Sequence, residues 1–190
     1  MHYSSIASYY QSHLLSDLRT THDLLQRINE IMSLHQRLSP VVDNTPAITP
    51  EQLRYFSNPN YIKGRFRTFD IPKKSGGVRI ITAPHDPAYQ WILRALAEML
   101  EQAYTPSDHA MGFVKNRSVK LNAQAHEGKN YVFNLDLKDF FPSIRRARVC
   151  ARLQCPPFSL NRELATTIAG LVSMRMEQAS PTETHVSYVL

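Results

Sequence analysis

A pair of glycines between two β-rich stretches constrains the fold of this chain more than any other feature. Residues 66–71 and 78–82 are rich in β-branched and aromatic side chains, and they flank the sequence PKKSGG. Glycine reaches the positive-φ conformations that a tight reversal between strands requires. The pattern predicts a β-hairpin with a basic tip.

Most of the remaining chain has apolar residues at helical spacing. From Gln11 to Leu38 we expect one long amphipathic helix, or two, ended by Pro40. Residues 39–50 contain three prolines and are interpreted as a linker. The chain should therefore begin with a helical segment that is separate from the rest of the protein.

Beyond the linker, Thr49-Pro50-Glu51-Gln52 has the form of a capped helix start, and a short helix to about Phe56 should follow. An apolar face predicts a helix over 88–103, with Trp91 in the core. Later helices are expected from Ser118 to about His126, from Pro142 to Leu153, and over 160–174, with a strand over 131–137 before the second of these.

Composition narrows the class of protein without naming its chemistry. Twenty-two Lys and Arg against 16 Asp and Glu give a formal charge of +6, which favours a polyanionic partner but does not identify one. Two cysteines, Cys150 and Cys155, cannot make a disulfide framework or a zinc quartet, and we expect reduced thiols. No apolar stretch approaches the roughly 20 residues of a membrane span, so we expect a cytoplasmic protein without membrane contact.

Two places could carry chemistry. Asp136 and Asp139 follow an apolar strand, and a carboxylate there suits Mg²⁺, although an aspartate at a strand end is also a common helix cap or turn former. At the hairpin, Lys73, Lys74 and Arg79 surround the glycines, an arrangement that suits a phosphate but is also common at solvated tips. Taken singly, both interpretations stay open.

Four motifs in order resolve part of this ambiguity. They are IPKKSGGVRIITAP at 71–84, GFVKNRS at 112–118, NAQAH at 122–126 and NLDLKDFFPSI at 134–144. The series resembles the opening motifs of bacterial reverse transcriptases, and the third resembles the Asn-Ala-x-x-His signature of the retron type. The resemblance covers about residues 50–174. A group II intron-type or other bacterial reverse transcriptase is weakened by the third motif but stays open.

The resemblance implies an α+β fold with the fingers and part of the palm of a right-hand polymerase. Residues 1–55 would form the N-terminal helical segment and linker, 56–130 the fingers, and 131–174 the start of the palm. Residues 175–190 match nothing in the family, which a frameshift near Met174, a premature stop or a split gene would explain; we favour a frameshift.

The resemblance also implies roles for individual residues. Asp136 would be the catalytic aspartate that binds metal, with the Leu137 carbonyl as a further ligand. Lys73, Lys74 and Arg79 would hold the triphosphate of an incoming dNTP, and Phe141 would exclude a ribose 2′-hydroxyl, unless it is ordinary core. The residues expected to contact RNA or template are Lys115, Arg117, Asn122 and His126, although the last two also fit a cap and a satisfied histidine.

Part of the family's active site has no counterpart in the sequence. The family uses two Mg²⁺ ions and a Tyr-x-Asp-Asp turn, but no aspartate follows Asp139 here. We therefore expect either an RNA-directed DNA polymerase that is inactive without a C-terminal half supplied in trans, or a non-catalytic RNA-binding fragment. Expected partners are structured RNA template and primer, RNA–DNA hybrid and dNTP. The family's setting suggests antiphage defence.

Overall fold

The predicted hairpin is present in the structure, a computed structural model that describes residues 15–39, 43–61, 65–74, 76–137, 140–141, 143–174 and 185–186. Strand β1 (Phe66–Pro72) pairs antiparallel with β2 (Val78–Pro84). At the tip, the Lys73 amide donates to the Gly77 carbonyl at 3.0 Å. Gly76 and Gly77 have φ of 88° and 82°, values that side-chain-bearing residues rarely adopt, so the glycine pair sets the reversal.

Of the two expectations for residues 11–38, the single long helix is not formed. Helix α1 spans Thr21–Leu38 and does not begin at Gln11, because Thr20 and Asp23 form a capping box. The Thr20 hydroxyl accepts from the Asp23 amide at 3.2 Å, and the Asp23 carboxylate accepts from the Thr20 amide at 2.8 Å. This reciprocal pair satisfies helix-start donors. Residues 11–14 and Pro40, which the expectation also used, lie outside the described residues.

The other expected helices are present with adjusted limits. They are α2 (Pro50–Ser57), α3 (Pro87–Ala103), α4 (Val119–Gln124), α5 (Arg146–Leu153) and α6 (Arg162–Leu171). The capping box of Thr49 with Gln52 and the cap by Ser118 are confirmed. Helix α4 ends before His126, and α5 begins after Pro142, which lies outside the described residues. A short antiparallel pair, β3 (Ser173–Met174) with β4 (His185–Val186), follows α6.

The expected strand over 131–137 is not formed. These residues have no regular secondary structure, and Tyr131, Phe133 and Leu135 are 94%, 85% and 75% exposed. A strand needs backbone partners on at least one edge. In the part of the chain that the structure describes, β1 and β2 pair with each other and no strand lies beside 131–137. The β-propensity of the segment is therefore unsatisfied.

One hydrophobic cluster contains residues from the three ranges 1–55, 56–130 and 131–174. Helices α1, α2, α3 and α6 contribute most of its buried side chains, and those that are fully buried include Ile28, Ile92, Leu96, Leu164 and Ile168. Trp91 is 7% exposed, so its predicted core position is confirmed. At Gly170 a Cβ would overlap the backbone carbonyl of Ser57, so glycine is what allows α2 and α6 to approach this closely.

The segment interpreted as a linker is tied to α1 and α3 by side chains. The Asn29 side-chain nitrogen donates to the Ile48 carbonyl at 2.9 Å, and the Asn29 side-chain oxygen accepts from the Ile48 amide at 2.7 Å. The Trp91 indole donates to the Asp43 carboxylate at 2.8 Å. The architecture is thus α+β, and no helix within the described ranges is long and apolar enough to cross a membrane.

Candidate functional site

The three cations predicted at the hairpin tip lie on one groove. Lys73, Lys74 and Arg79 line a cavity of about 400 Å³ together with Ile71, Pro72 and Ile81. Ile71 lies directly opposite Arg79 in the strand register, so these two side chains project on the same face of the hairpin, and Lys73 and Lys74 follow in the turn. The hairpin therefore brings together residues that the sequence separates by the glycine pair.

This groove is electropositive and open to solvent. Lys73, Lys74 and Arg79 are all exposed, and none has an ion-pair partner within the described ranges. Lysine supplies a point charge, whereas the arginine guanidinium offers a planar fork of donors that matches phosphate oxygens. The arrangement can bind a phosphate or a chain of phosphates.

Asp136 and Leu137 lie in the exposed stretch that was expected to form a strand, and Leu137 is 58% exposed. Within the described ranges, no group of three His, Cys, Asp or Glu side chains converges as a metal site. Asp139, the weaker candidate, lies outside the described residues. One carboxylate and one carbonyl are too few to hold two Mg²⁺ ions, so the described residues do not fit the two-ion site by themselves.

Phe141 lies in the turn before α5. Its ring is 43% exposed and meets the Phe140 ring edge-on, with centroids 5.0 Å apart. The Ile144 amide donates to the Phe141 carbonyl at 3.0 Å, and the Ser143 hydroxyl donates to the Phe140 carbonyl at 2.5 Å. Phe141 is partly exposed here and is not among the residues that line the hairpin groove.

Lys115 and Arg117 differ in how their charges are used. The Lys115 amine lies 3.0 Å from the Glu101 carboxylate, but both side chains are exposed, so this pair is weak and open to exchange. The Arg117 guanidinium donates to the carbonyls of Ser107 and, at 2.7 Å, Ala110. Arg117 therefore holds the loop before α4, and Lys115 is the freer cation.

Asn122 and His126 are both exposed, but only Asn122 lies within α4. The His126 amide donates to the Ala123 carbonyl at 3.0 Å in the turn after the helix. The expected common helix face is therefore interrupted at Gln124. Both side chains remain available to an external partner on the same short element.

Sequence reasoning missed Arg65, which is fully buried. Its guanidinium donates to the Tyr89 hydroxyl at 2.7 Å and to the Leu171 carbonyl at 3.1 Å, and it lies 4.7 Å from the Tyr89 ring centroid. Burial raises the pKa of Tyr89. Because the Leu171 carbonyl is 106 positions away in sequence, no local pattern reveals this contact.

The chain is similar in sequence to several retron reverse transcriptases. It is 41% identical over 99 residues to the retron Mx65 reverse transcriptase of Myxococcus xanthus, covering 51% of this chain and 23% of that relative. It is 38% identical over 109 residues to the retron Mx162 reverse transcriptase of the same organism, covering 56% and 21%. Against the retron Ec73 reverse transcriptase of Escherichia coli, identity is 42% over 84 residues, covering 42% and 25%.

These matches confirm the resemblance that the four motifs predict, over about half of the chain. The chain spans about a quarter of the length of the curated relatives it matches. No protein-family profile matches the chain, and no solved structure matches it.

Proposed function

We propose that this chain, homologous over half its length to retron reverse transcriptases, supplies the nucleotide-binding and template-binding part of an RNA-directed DNA polymerase. The observation that carries the proposal is the single groove lined by Lys73, Lys74 and Arg79. In this arrangement residues 56–130 act as the fingers of a right-hand polymerase and 131–174 begin the palm. The family's biological setting, antiphage defence, is part of the proposal.

The hairpin groove holds the triphosphate of a dNTP. Three cations without ion pairs in the described ranges meet an anion of three to four charges, and the glycine tip lets the backbone approach it. Phe141, with a partly exposed ring, excludes a ribose 2′-hydroxyl by contact. Lys115, Arg117, Asn122 and His126 contact the RNA template, chiefly through its backbone, which carries no sequence information.

Asp136 is the first metal-binding aspartate in this proposal, with the Leu137 carbonyl beside it. When bound, Mg²⁺ would neutralise charge on the triphosphate and activate the primer hydroxyl. Because the described residues do not fit two ions, the remaining carboxylates come from another polypeptide segment. The role of this chain is therefore to bind and position the nucleotide and the template.

Nucleotide binding tests the groove directly. N-methylanthraniloyl-dATP should bind the full 190-residue chain, and Lys73→Ala with Lys74→Ala should weaken binding at least about tenfold, since hydrogen bonds to charged groups contribute about 1.5–3 kcal/mol each. Lys120→Ala with Lys129→Ala removes the same charge elsewhere and should leave binding unchanged. Equal losses in both double variants would show that only net charge matters and would overturn the assignment of the groove.

Among the described residues, Asp136 is the one carboxylate at the expected metal position. This favours a second candidate function, that of a non-catalytic RNA-binding fragment. Primer extension with Mg²⁺ distinguishes the two. The chain is mixed with the part of the Mx65 relative that follows the matched region, an RNA template and dNTPs. Extension that disappears in Asp136→Asn supports the polymerase. RNA binding without extension, although the dNTP binds, selects the second candidate.

A further inference from the structure

The surface formed by α5 and α6 is strongly basic, and neither the motifs nor the proposed polymerase roles use it. From Phe140 to Arg162 the sequence has five arginines and no acidic residue. The arginines are Arg145, Arg146, Arg148, Arg152 and Arg162. The next carboxylate, Glu163, accepts a hydrogen bond from the Thr21 amide at 3.1 Å, so it is engaged with α1.

Two of these arginines flank a groove between the helices. Arg146 on α5 and Arg162 on α6 line a cavity of about 390 Å³, within the range of about 300–1,000 Å³ that small-ligand sites occupy. Its wall carries Cys150 and Thr166, whose Sγ and Oγ1 atoms lie 3.7 Å apart. Neither Arg146 nor Arg162 has an ion-pair partner among the residues that the structure describes.

The other flank of α5 combines cations with aromatic rings. Arg148 and Arg152 are four residues apart and so lie on one side of the helix, where like charges repel. The Arg152 guanidinium lies 5.5 Å from the Phe158 ring centroid. Phe158 in turn stacks on Tyr104, with centroids 6.3 Å apart, and Tyr104 is 47% exposed.

We propose that the α5–α6 surface binds single-stranded nucleic acid, with backbone phosphates at Arg146 and Arg162 and a base against Tyr104. Sequence-tolerant binding of single strands combines a basic groove with aromatic faces on which bases stack. An acidic protein segment would use the arginines but would gain little from the exposed tyrosine. The inference does not rest on dNTP binding or on polymerase chemistry, so either proposal can fail alone.

Cys150 provides a local reporter of occupancy. In the full chain carrying Cys155→Ser, Cys150 is the remaining thiol, and its alkylation rate by iodoacetamide can be followed. A 20-nucleotide unstructured RNA should slow alkylation several-fold. Arg146→Gln with Arg162→Gln should abolish this protection, because the groove then lacks its cations. Unchanged alkylation at saturating RNA would overturn the proposal, since a strand on this surface must cover the groove.

Binding affinity gives a second readout. Fluorescence anisotropy with the same RNA should show weaker binding for Arg146→Gln with Arg162→Gln, and a salt dependence whose slope falls by about 1.4, since each lost phosphate contact removes about 0.7 for single strands. Arg27→Gln with Arg37→Gln removes equal charge from α1 and should change neither quantity. Equal effects in the two double variants would contradict a specific surface.

The aromatic contribution has its own matched control. Tyr104→Leu should weaken RNA binding about fivefold or more, since stacking of one base contributes about 1–3 kcal/mol. Tyr61→Leu serves as the control, because Tyr61 is 50% exposed and also stacks on a neighbouring ring, that of Tyr55. If Tyr104→Leu has no effect and a polyglutamate peptide protects Cys150 as well as RNA does, the partner is an acidic protein and the proposal is wrong.

Discussion

Arg65 shows how a single charge can be buried in this core. Its guanidinium donates to the Leu171 carbonyl, at the C-terminal end of α6 where the helix dipole is negative. A further bond reaches the Asn58 carbonyl at 3.1 Å, just after α2. The rings of Phe66 and Tyr89 lie beside it, at 5.3 and 4.7 Å. One side chain thus links the ends of two helices to the start of the hairpin.

At the same scale, the hydrogen bonds to the Asp43 carboxylate predict that the folded protein loses stability in acid. The Thr45 hydroxyl, donating at 2.7 Å, is the main cause that lowers the pKa of Asp43 from 3.8, and the Trp91 indole adds to it. A carboxyl whose pKa is lower in the folded state stabilises the fold above the unfolded value and loses that contribution as pH falls through the folded pKa. The stabilisation should therefore begin to weaken as the pH falls below about 3.8, and it should be lost as the pH passes the lower pKa of the folded state.

Urea unfolding followed by the fluorescence of Trp91, the only tryptophan, measures this. Asp43→Asn should be less stable than the parent chain at about pH 5, and the difference in stability should shrink at about pH 3. These two pH values lie on either side of an ordinary aspartate pKa. Asp23 and Glu51 also have lowered pKa values, so only the difference between the two proteins isolates Asp43. A difference that does not change with pH would contradict the assignment.

At the scale of elements, what sequence could predict depends on how local each signal is. The hairpin, the Thr49 and Ser118 caps and α3 were predictable because propensity, turn residues and periodicity act within a few positions. The choice between one helix and two before residue 38 stayed open because apolar spacing continues through Leu15 and Leu18, while the Thr20–Asp23 capping box fixes the start of α1. The convergence of Lys73 and Arg79 also followed from the hairpin, whereas Arg65 depends on contacts remote in sequence.

Gly170 provides a test at this scale. Alanine is favoured over glycine inside a helix by about 1 kcal/mol, so helix propensity alone predicts that Gly170→Ala stabilises α6. Its Cβ would overlap the Ser57 carbonyl, however, and α2 would have to move away. We expect a net destabilisation of about 1–3 kcal/mol, as for other overpacked cores.

Thermal and urea unfolding measure the change. Gly112→Ala is the matched control, since no atom lies within 4 Å of a Cβ built at Gly112. That variant should be neutral or slightly stabilised. If Gly170→Ala is as stable as Gly112→Ala, the close approach of α2 and α6 is not a constraint on the fold.

At the scale of the whole molecule, the core and the exposed apolar surface lie in different parts of the chain. Helices α1, α2, α3 and α6 bury a common cluster, whereas residues 131–137 present Tyr131, Phe133 and Leu135 to solvent. The sequence predicted a strand there because its propensity is high, but strand formation also depends on a neighbouring strand. Propensity is local and pairing is not, so this error could not be seen from the segment alone.

The exposed segment should control self-association and not stability. An extended, apolar, unpaired stretch is a template for pairing with another chain. Phe133→Lys with Leu135→Lys should leave the Tm unchanged, because both side chains are already more than two-thirds exposed, at 85% and 75%. The same variant should reduce the light scattering of concentrated solutions.

Ile168→Ala, in the core, should instead lower the free energy of unfolding by about 2–5 kcal/mol. A lower Tm for the double lysine variant would mean that residues 131–137 pack against the molecule, which would restore the expected strand.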